Sequence, residues 1–169
     1  MKVENKGGEI FLKLSQELNE SLNEQVLHEL RNQNIYYQIS SYFEDMQLKN
    51  LANYFQKQAN HENEHAQKFI KHINDRTGGK VSIGDVDSPN LNINSIDDIA
   101  NIYVKTEEST TESIEELYSL AFETKSFIDL PFLSEMLSEQ VEEEDTSNAF
   151  ATKLKMCKDL VLFDATFVV

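Results

Sequence analysis

The sequence predicts an all-α fold: a four-helix bundle with one long crossover between helices two and three, plus a short C-terminal segment. Three observations carry the prediction. Apolar residues recur at the three- and four-residue spacing of a helix along four separate stretches. Chain breakers are scarce, with five Gly and two Pro in 169 residues, which disfavours a many-turned β fold. The connections run short, long, short, and the long one covers 18 residues from Thr77 to Asn94. Such a segment can extend about 60 Å, whereas the helices should measure on the order of 40 Å. It can therefore traverse the bundle, as in bundles with a single crossover. Residues 1–14 are expected to be an N-terminal extension, 15–158 the bundle and 159–169 an altered C-terminal segment.

The first helix should run from about Ser15 to Phe43, with Leu18, Leu22, Val26, Leu30, Tyr36 and Phe43 in its apolar stripe. The second, from about Leu48 to Arg76, carries Leu51, Phe55, Phe69 and Ile73. Gly78 and Gly79 follow it and can take the left-handed conformation that ends helices. In the long connection, Val81 and Ile83 suggest a short extended segment. Ser95 and Asp98 have the S-x-x-D spacing of a capping box and open a third helix on Ile96, Ile99, Tyr103, Ile114, Leu117 and Ala121. After a break at "ETKSFI", Asp129 reads as an N-cap, with Pro131 tolerated in the first turn of a fourth helix reaching about Lys155. The closing "DLVLFDATFVV" is apolar and partly β-branched, without a clear period.

The formal net charge is −15, from 30 acidic and 15 basic residues. That balance disfavours nucleic acid and anionic membrane surfaces as partners. It suits a protein that gathers cations, and equally an ordinary soluble acidic surface. A single cysteine, Cys157, excludes a disulfide or thiolate cluster within one chain and reads as a small buried hydrophobe. The N-terminal "MKVENKGGEIFLKL" lacks the apolar core of a signal peptide, and no run approaches membrane-span length, so the cytoplasm is the expected compartment. His28 and His72 read as surface residues.

Each stripe has a polar interruption. Glu29 lies seven after Leu22 and seven before Tyr36, and so points where they point. Phe55, Gln58, Glu62, His65 and Phe69 share a face, projecting Glu62 and His65 inward as an i, i+3 pair. Glu107 lies four after Tyr103 and seven before Ile114, and Gln140 and Glu143 keep register with Met136, Phe150 and Leu154. A carboxylate in a bundle core costs several kcal/mol unless paired or bound to a cation. No Lys or Arg is placed inward, so four glutamates and one imidazole point to cations; this oxygen-rich set suits iron or manganese, and two ions would balance the charge best. The alternative is that some of these residues sit at the stripe edge and reach water.

The same stretch of helix two, "ANHENEHA", also spells H-E-x-x-H from His61 to His65, the helical pattern of zinc metallopeptidases. That reading needs His61 and His65 on one metal, a third protein ligand and usually a sheet edge for a peptide. The sequence offers no convincing strand and no obvious third ligand, and Glu29, Glu107 and Glu143 stay unexplained.

From about Leu22 to Lys155 the chain resembles the bacterial non-haem ferritins, members of the ferritin-like di-iron carboxylate family. The resemblance rests on "LNEQVLHELRNQNIYYQIS", "QANHENEHAQKF", "YVKTEES" and "LSEQVEEED". It implies iron storage with ferroxidase activity, oxidising Fe²⁺ with O₂ or H₂O₂ and storing ferric mineral. By the resemblance, Glu29, Glu62 and His65 hold one iron, and Glu62, Glu107 and Glu143 hold another. Gln140 then lies at hydrogen-bonding range and Tyr36 beside the site, either as an electron or hydrogen-bond donor or as a core aromatic with a satisfied hydroxyl. A third iron site is implied at Glu139, Glu142 and Glu143, although His61 stands where relatives carry glutamate; a solvated acidic face is the other reading of Glu139, Glu142, Glu144 and Asp145. Haem is not expected, because Asn63 occupies the position of the methionine that ligates haem in bacterioferritins. The family implies a homo-oligomer, a 24-subunit cage if the short, glycine-free C-terminus permits. The non-enzymatic alternative is a bundle or cage whose degenerate site only buffers iron.

Overall fold

The computed structural model, described over residues 13–87, 89–157 and 159–167, contains four long helices and one short one: α1 Gln16–Asp45, α2 Lys49–Asp75, α3 Ile96–Glu123, α4 Leu130–Met156 and α5 Leu160–Ala165. Helix α1 packs on α2, α3 on α4, and α1 also on α3, while α5 lies against α2. The short connections use left-handed residues, Gln47 at φ 62° between α1 and α2 and Lys125 at φ 59° between α3 and α4. Most of the 1–14 extension lies outside the described residues.

Start signals act locally as expected. Ser15 accepts a hydrogen bond from the Leu18 amide at the head of α1. Ser95 and Asp98 form a reciprocal capping box: Ser95 Oγ accepts from the Asp98 amide, and Asp98 accepts from the Ser95 amide at 2.9 Å. Ser95→Ala is expected to destabilise the subunit by about 1 kcal/mol, read as a lower urea midpoint with an unchanged slope. After α2, Gly78 adopts φ +80°, and a Cβ on Gly79 would meet the Ile73 carbonyl oxygen at 1.9 Å, so the backbone can fold tightly over the helix end only with glycine there.

The crossover traverses the bundle. Asn23 of α1 donates to the Lys80 carbonyl at 2.9 Å and accepts from the Ser82 amide, while Gln38, about 22 Å further along α1, donates to the Pro89 carbonyl. No strand forms at Val81 and Ile83: Val81 packs on the core and Ile83 is exposed. The lone bridge among the described residues joins Lys13 to Thr77.

Two differences concern α4 and α5. Asp129 stands at the N-cap of α4 with Pro131 in the first turn, but its side chain makes no capping hydrogen bond. Its carboxylate is turned toward His72 and Arg76 of the α2 end and toward Ser126. The C-terminal segment forms a short helix, because Asp159 accepts from the amides of Val161 and Leu162 and Phe163 buries itself against Phe150. Cys157 is half-buried at the end of α4, its thiol directed at the Asp159 carbonyl at 3.2 Å. No helix among the described residues is long and apolar enough to cross a membrane.

The apolar interior is divided. One cluster joins Leu18, Leu22 and Val26 to Phe69, Ile114 and Met136; the other joins Tyr36, Phe43, Phe55, Tyr103 and Phe150. Between them lies a layer of polar side chains.

Candidate metal centre

The polar layer is supplied by all four long helices at mid-length. Glu29, His65 and Glu107 are fully buried, Glu62 is 3% exposed, Gln140 1% and Glu143 8%. The stripe-edge alternative therefore does not hold for these side chains. Their ligand atoms fall into two groups, each within 4.8 Å: Glu29 with Glu62 and His65, and Glu62 with Glu107 and Glu143. Glu62 belongs to both.

The surroundings orient these groups from behind. Gln25 donates to Glu29 at 2.8 Å and itself accepts from Ser113. Gln140 donates to Glu143 at 2.9 Å and accepts from Thr111. The Tyr36 hydroxyl donates to Glu107, and its ring meets that of Tyr103 edge-on at 5.5 Å. Tyr103 shares its hydroxyl with Tyr54 at 2.9 Å and with Gln58. Gln25 and Tyr54 were not singled out from sequence, although Gln25 lies one turn before Glu29 on the same face.

What faces inward is left unsatisfied. Oε2 of Glu29, Glu62 and Glu107 and both ring nitrogens of His65 are buried without a hydrogen-bond partner. Native interiors rarely tolerate such atoms without a missing ligand. Burial, then the charge of Glu62, pushes the Glu29 carboxyl well above the usual range. Burial, then the Glu107 charge, does the same to Glu62, and burial, then the Glu143 charge, to Glu107. For Glu143 burial pulls upward, but the hydrogen bond from His61 and the charges of His65 and His61 outweigh it and hold the carboxyl low. Without a cation, the layer is thus a set of carboxylates that resist ionising together.

This has a measurable consequence for the metal-free protein. A carboxyl whose folded pKa is raised contributes stability that is fully present below its unfolded value and lost as pH rises through the folded one. Glu107→Gln keeps the shape, still accepts from Tyr36 and cannot ionise. It is expected to raise the thermal midpoint of the metal-free protein near neutral pH by a few degrees, at about 2–4 °C per kcal/mol for this size. The gain over wild type should shrink toward pH 4, which paired melting curves at several pH values will read.

His61 and Glu139 border the layer. His61 is 42% exposed in its side chain and places Nδ1 2.9 Å from Glu143; Glu139 lies 3.2 Å from His65 Nε2 and is held by Lys68. His61, His65 and Glu139 form a third group of close ligand atoms, whereas Glu142 is exposed and joins none of the three groups among the described residues. His28 and His72 are half-buried rather than freely exposed: His28 contacts the Thr110 hydroxyl at 3.1 Å, and His72 stacks on Phe132 at 4.1 Å and bonds Asp129. Both lie at the edge of a helical stripe, where sequence alone does not decide burial. Burial, then the Arg31 charge, lowers His28 to about 4.

Comparison with known proteins agrees with this geometry. The family model for the Ferritin-like domain matches residues 19–157. The chain is 33% identical over 131 residues to the bacterial non-heme ferritin of Staphylococcus aureus, covering 78% of each. It is 30% identical over 155 residues to that of Staphylococcus haemolyticus, covering 89% of this chain and 93% of the relative. An open pore ferritin from the archaeon Archaeoglobus fulgidus superposes with a TM-score of 0.87 at 28% identity, over 91% of this chain and 96% of that one.

Proposed function

Because this chain belongs to the ferritin family, we propose that it stores iron and oxidises its substrate Fe²⁺ at the carboxylate layer between the two apolar clusters. The observation that carries the reading is Glu62, one carboxylate common to two groups of ligand atoms. Glu29, Glu62 and His65 bind one Fe²⁺, and Glu62, Glu107 and Glu143 bind the other. Hard oxygen donors favour the ferric product over the ferrous substrate, which helps transfer electrons to O₂ or H₂O₂. Gln140 fixes the orientation of Glu143 and Gln25 that of Glu29, the outer-shell support that metal sites require. Tyr36 holds Glu107 through its hydroxyl and lies close enough to supply a hydrogen bond or an electron. Ferric product leaves for an acidic interior and mineralises there.

Storage requires a closed container, so the working form is a homo-oligomer in the cytoplasm. The short helix α5 that follows the bundle is compatible with a 24-subunit cage. The similar archaeal ferritin is described as open-pored, so the form of the pores can differ without loss of the bundle. A peptidase reading gains no support: Glu62, its required base, is buried among carboxylates.

The test is aerobic addition of Fe²⁺ to metal-free protein, following ferric absorbance and then the iron that co-elutes with protein on size exclusion. Oxidation well above buffer, saturating near two Fe²⁺ per chain before mineral growth, is expected. Iron that binds without accelerated oxidation would replace the enzyme with a buffer.

A further inference from the structure

The feature that iron oxidation leaves unused is the other half of H-E-x-x-H. His61 belongs to neither carboxylate group that contains Glu62, yet its ligand atom lies within 4.8 Å of ligand atoms of His65 and Glu139. We propose that His61, His65 and Glu139 form a separate binding site for a borderline divalent cation, Zn²⁺ foremost, beside the iron positions.

Three observations support it. His65 is completely buried, and its Nε2 has no hydrogen-bond partner while lying 3.2 Å from Glu139. Donors around a tetrahedral Zn²⁺ with bonds of about 2.0–2.1 Å are separated by roughly 3.4 Å, so this pair already has nearly the required spacing. The rings of His61 and His65 lie 4.3 Å apart at 50°, near enough to converge on one ion. Both outer donors are braced: Lys68 grips Glu139 with contacts of 2.7 and 2.5 Å, and Glu143 lies 2.9 Å from His61 Nδ1. Two imidazoles and one carboxylate make a donor set well suited to zinc. The iron positions offer mainly carboxylates, so the two chemistries are sorted by donor type.

The consequence lies in His65. Its Nδ1 faces Glu62 and its Nε2 faces Glu139. A neutral imidazole has only one nitrogen lone pair to donate. A zinc ion on Nε2 therefore removes this ring from the iron position, and zinc suppresses the iron oxidation proposed above; this last step rests on that reading, whereas zinc binding does not.

The experiment is calorimetric titration of the metal-free assembled protein with ZnCl₂, paired with Co²⁺ absorbance to report tetrahedral coordination. The background is Glu29→Gln/Glu107→Gln, which weakens the iron positions and spares His61, His65 and Glu139. One Zn²⁺ per chain is expected to remain, and His61→Ala in that background should weaken it at least about tenfold. Zinc binding insensitive to His61→Ala, or absent from that background while it remains folded by circular dichroism, overturns the site. Should the background fail to fold, His61→Ala alone decides: the half-exposed position tolerates the change, and zinc stoichiometry must fall by one per chain. Iron oxidation measured without zinc is a separate readout, so the two proposals can fail independently.

Discussion

Glu62→Gln is expected to abolish rapid iron oxidation, lowering the initial aerobic rate by about 100-fold or more, since loss of even an outer-shell partner typically costs 10–100-fold at a metal site. The size follows from position. Of the two groups proposed to hold iron, each other ligand serves one, whereas Glu62 serves both, so its loss would weaken binding at both. Glutamine preserves the volume and can still hydrogen-bond within the layer, so the fold should survive; with one fewer buried carboxyl, the metal-free variant should melt no lower than wild type. Loss of rate is therefore separable from loss of structure. Glu142→Gln is the matched control: Glu142 is exposed and outside all three groups, and its rate should stay within about twofold of wild type, as usual for a surface change away from such features. Stopped-flow ferric absorbance at two Fe²⁺ per chain reads both. A Glu62→Gln rate near wild type would remove the shared-carboxylate mechanism.

Helix positions and inward glutamates were legible in the sequence because both depend on period alone. Glu29 is buried for the same reason as Leu22 and Tyr36, seven residues away on either side. The capping box of Ser95 and Asp98 was equally readable, because its partners are three residues apart and need no tertiary information. What failed were side-chain details decided by residues distant in the chain. Asp129 has the composition of an N-cap, but His72 and Arg76 are placed beside it by packing of α2 and draw the carboxylate away from its own helix. His28 and His72 lie at stripe edges, where burial depends on the neighbouring helix. Helix α5 is too short for a period to register; it forms because Asp159 caps it and Phe163 finds Phe150. The resemblance put Glu139 beside His61 but joined it to Glu142; that it meets His65 instead depends on how α4 packs against α2.

That misplaced cap leads to the largest expected effect on stability. Asp129→Ala should destabilise the subunit by about 3 kcal/mol, the lower end of what breaking a buried charge pair costs. Asp129 is fully buried, and Arg76 reaches it at 2.7 Å and His72 at 2.8 Å, while Ser126 donates to its second oxygen at 2.6 Å. The carboxylate thus ties the C-terminal end of α2 to the N-terminal end of α4. Its negative charge suits the positive end of α4, and the guanidinium suits the negative end of α2. Removing it takes away both the ion pair and the dipole complement, and opens space beside the His72 ring. Asp129→Asn should lose less, because an amide keeps the shape and still accepts from Ser126. The pH dependence gives an independent sign. Burial pulls the Asp129 carboxyl upward, but the hydrogen bonds from His72 and Ser126 and the Arg76 charge outweigh it, leaving its pKa below the ordinary value of 3.8. A carboxyl with a depressed folded pKa contributes stability that is present above the unfolded value and lost as pH falls through the folded one. The difference between wild type and Asp129→Asn should therefore shrink as pH falls below the Asp reference pKa of about 3.9. Urea unfolding of the metal-free proteins at matched protomer concentration reads both variants. Equal stability of Asp129→Ala and wild type at neutral pH would mean that the α2–α4 bridge carries no energy.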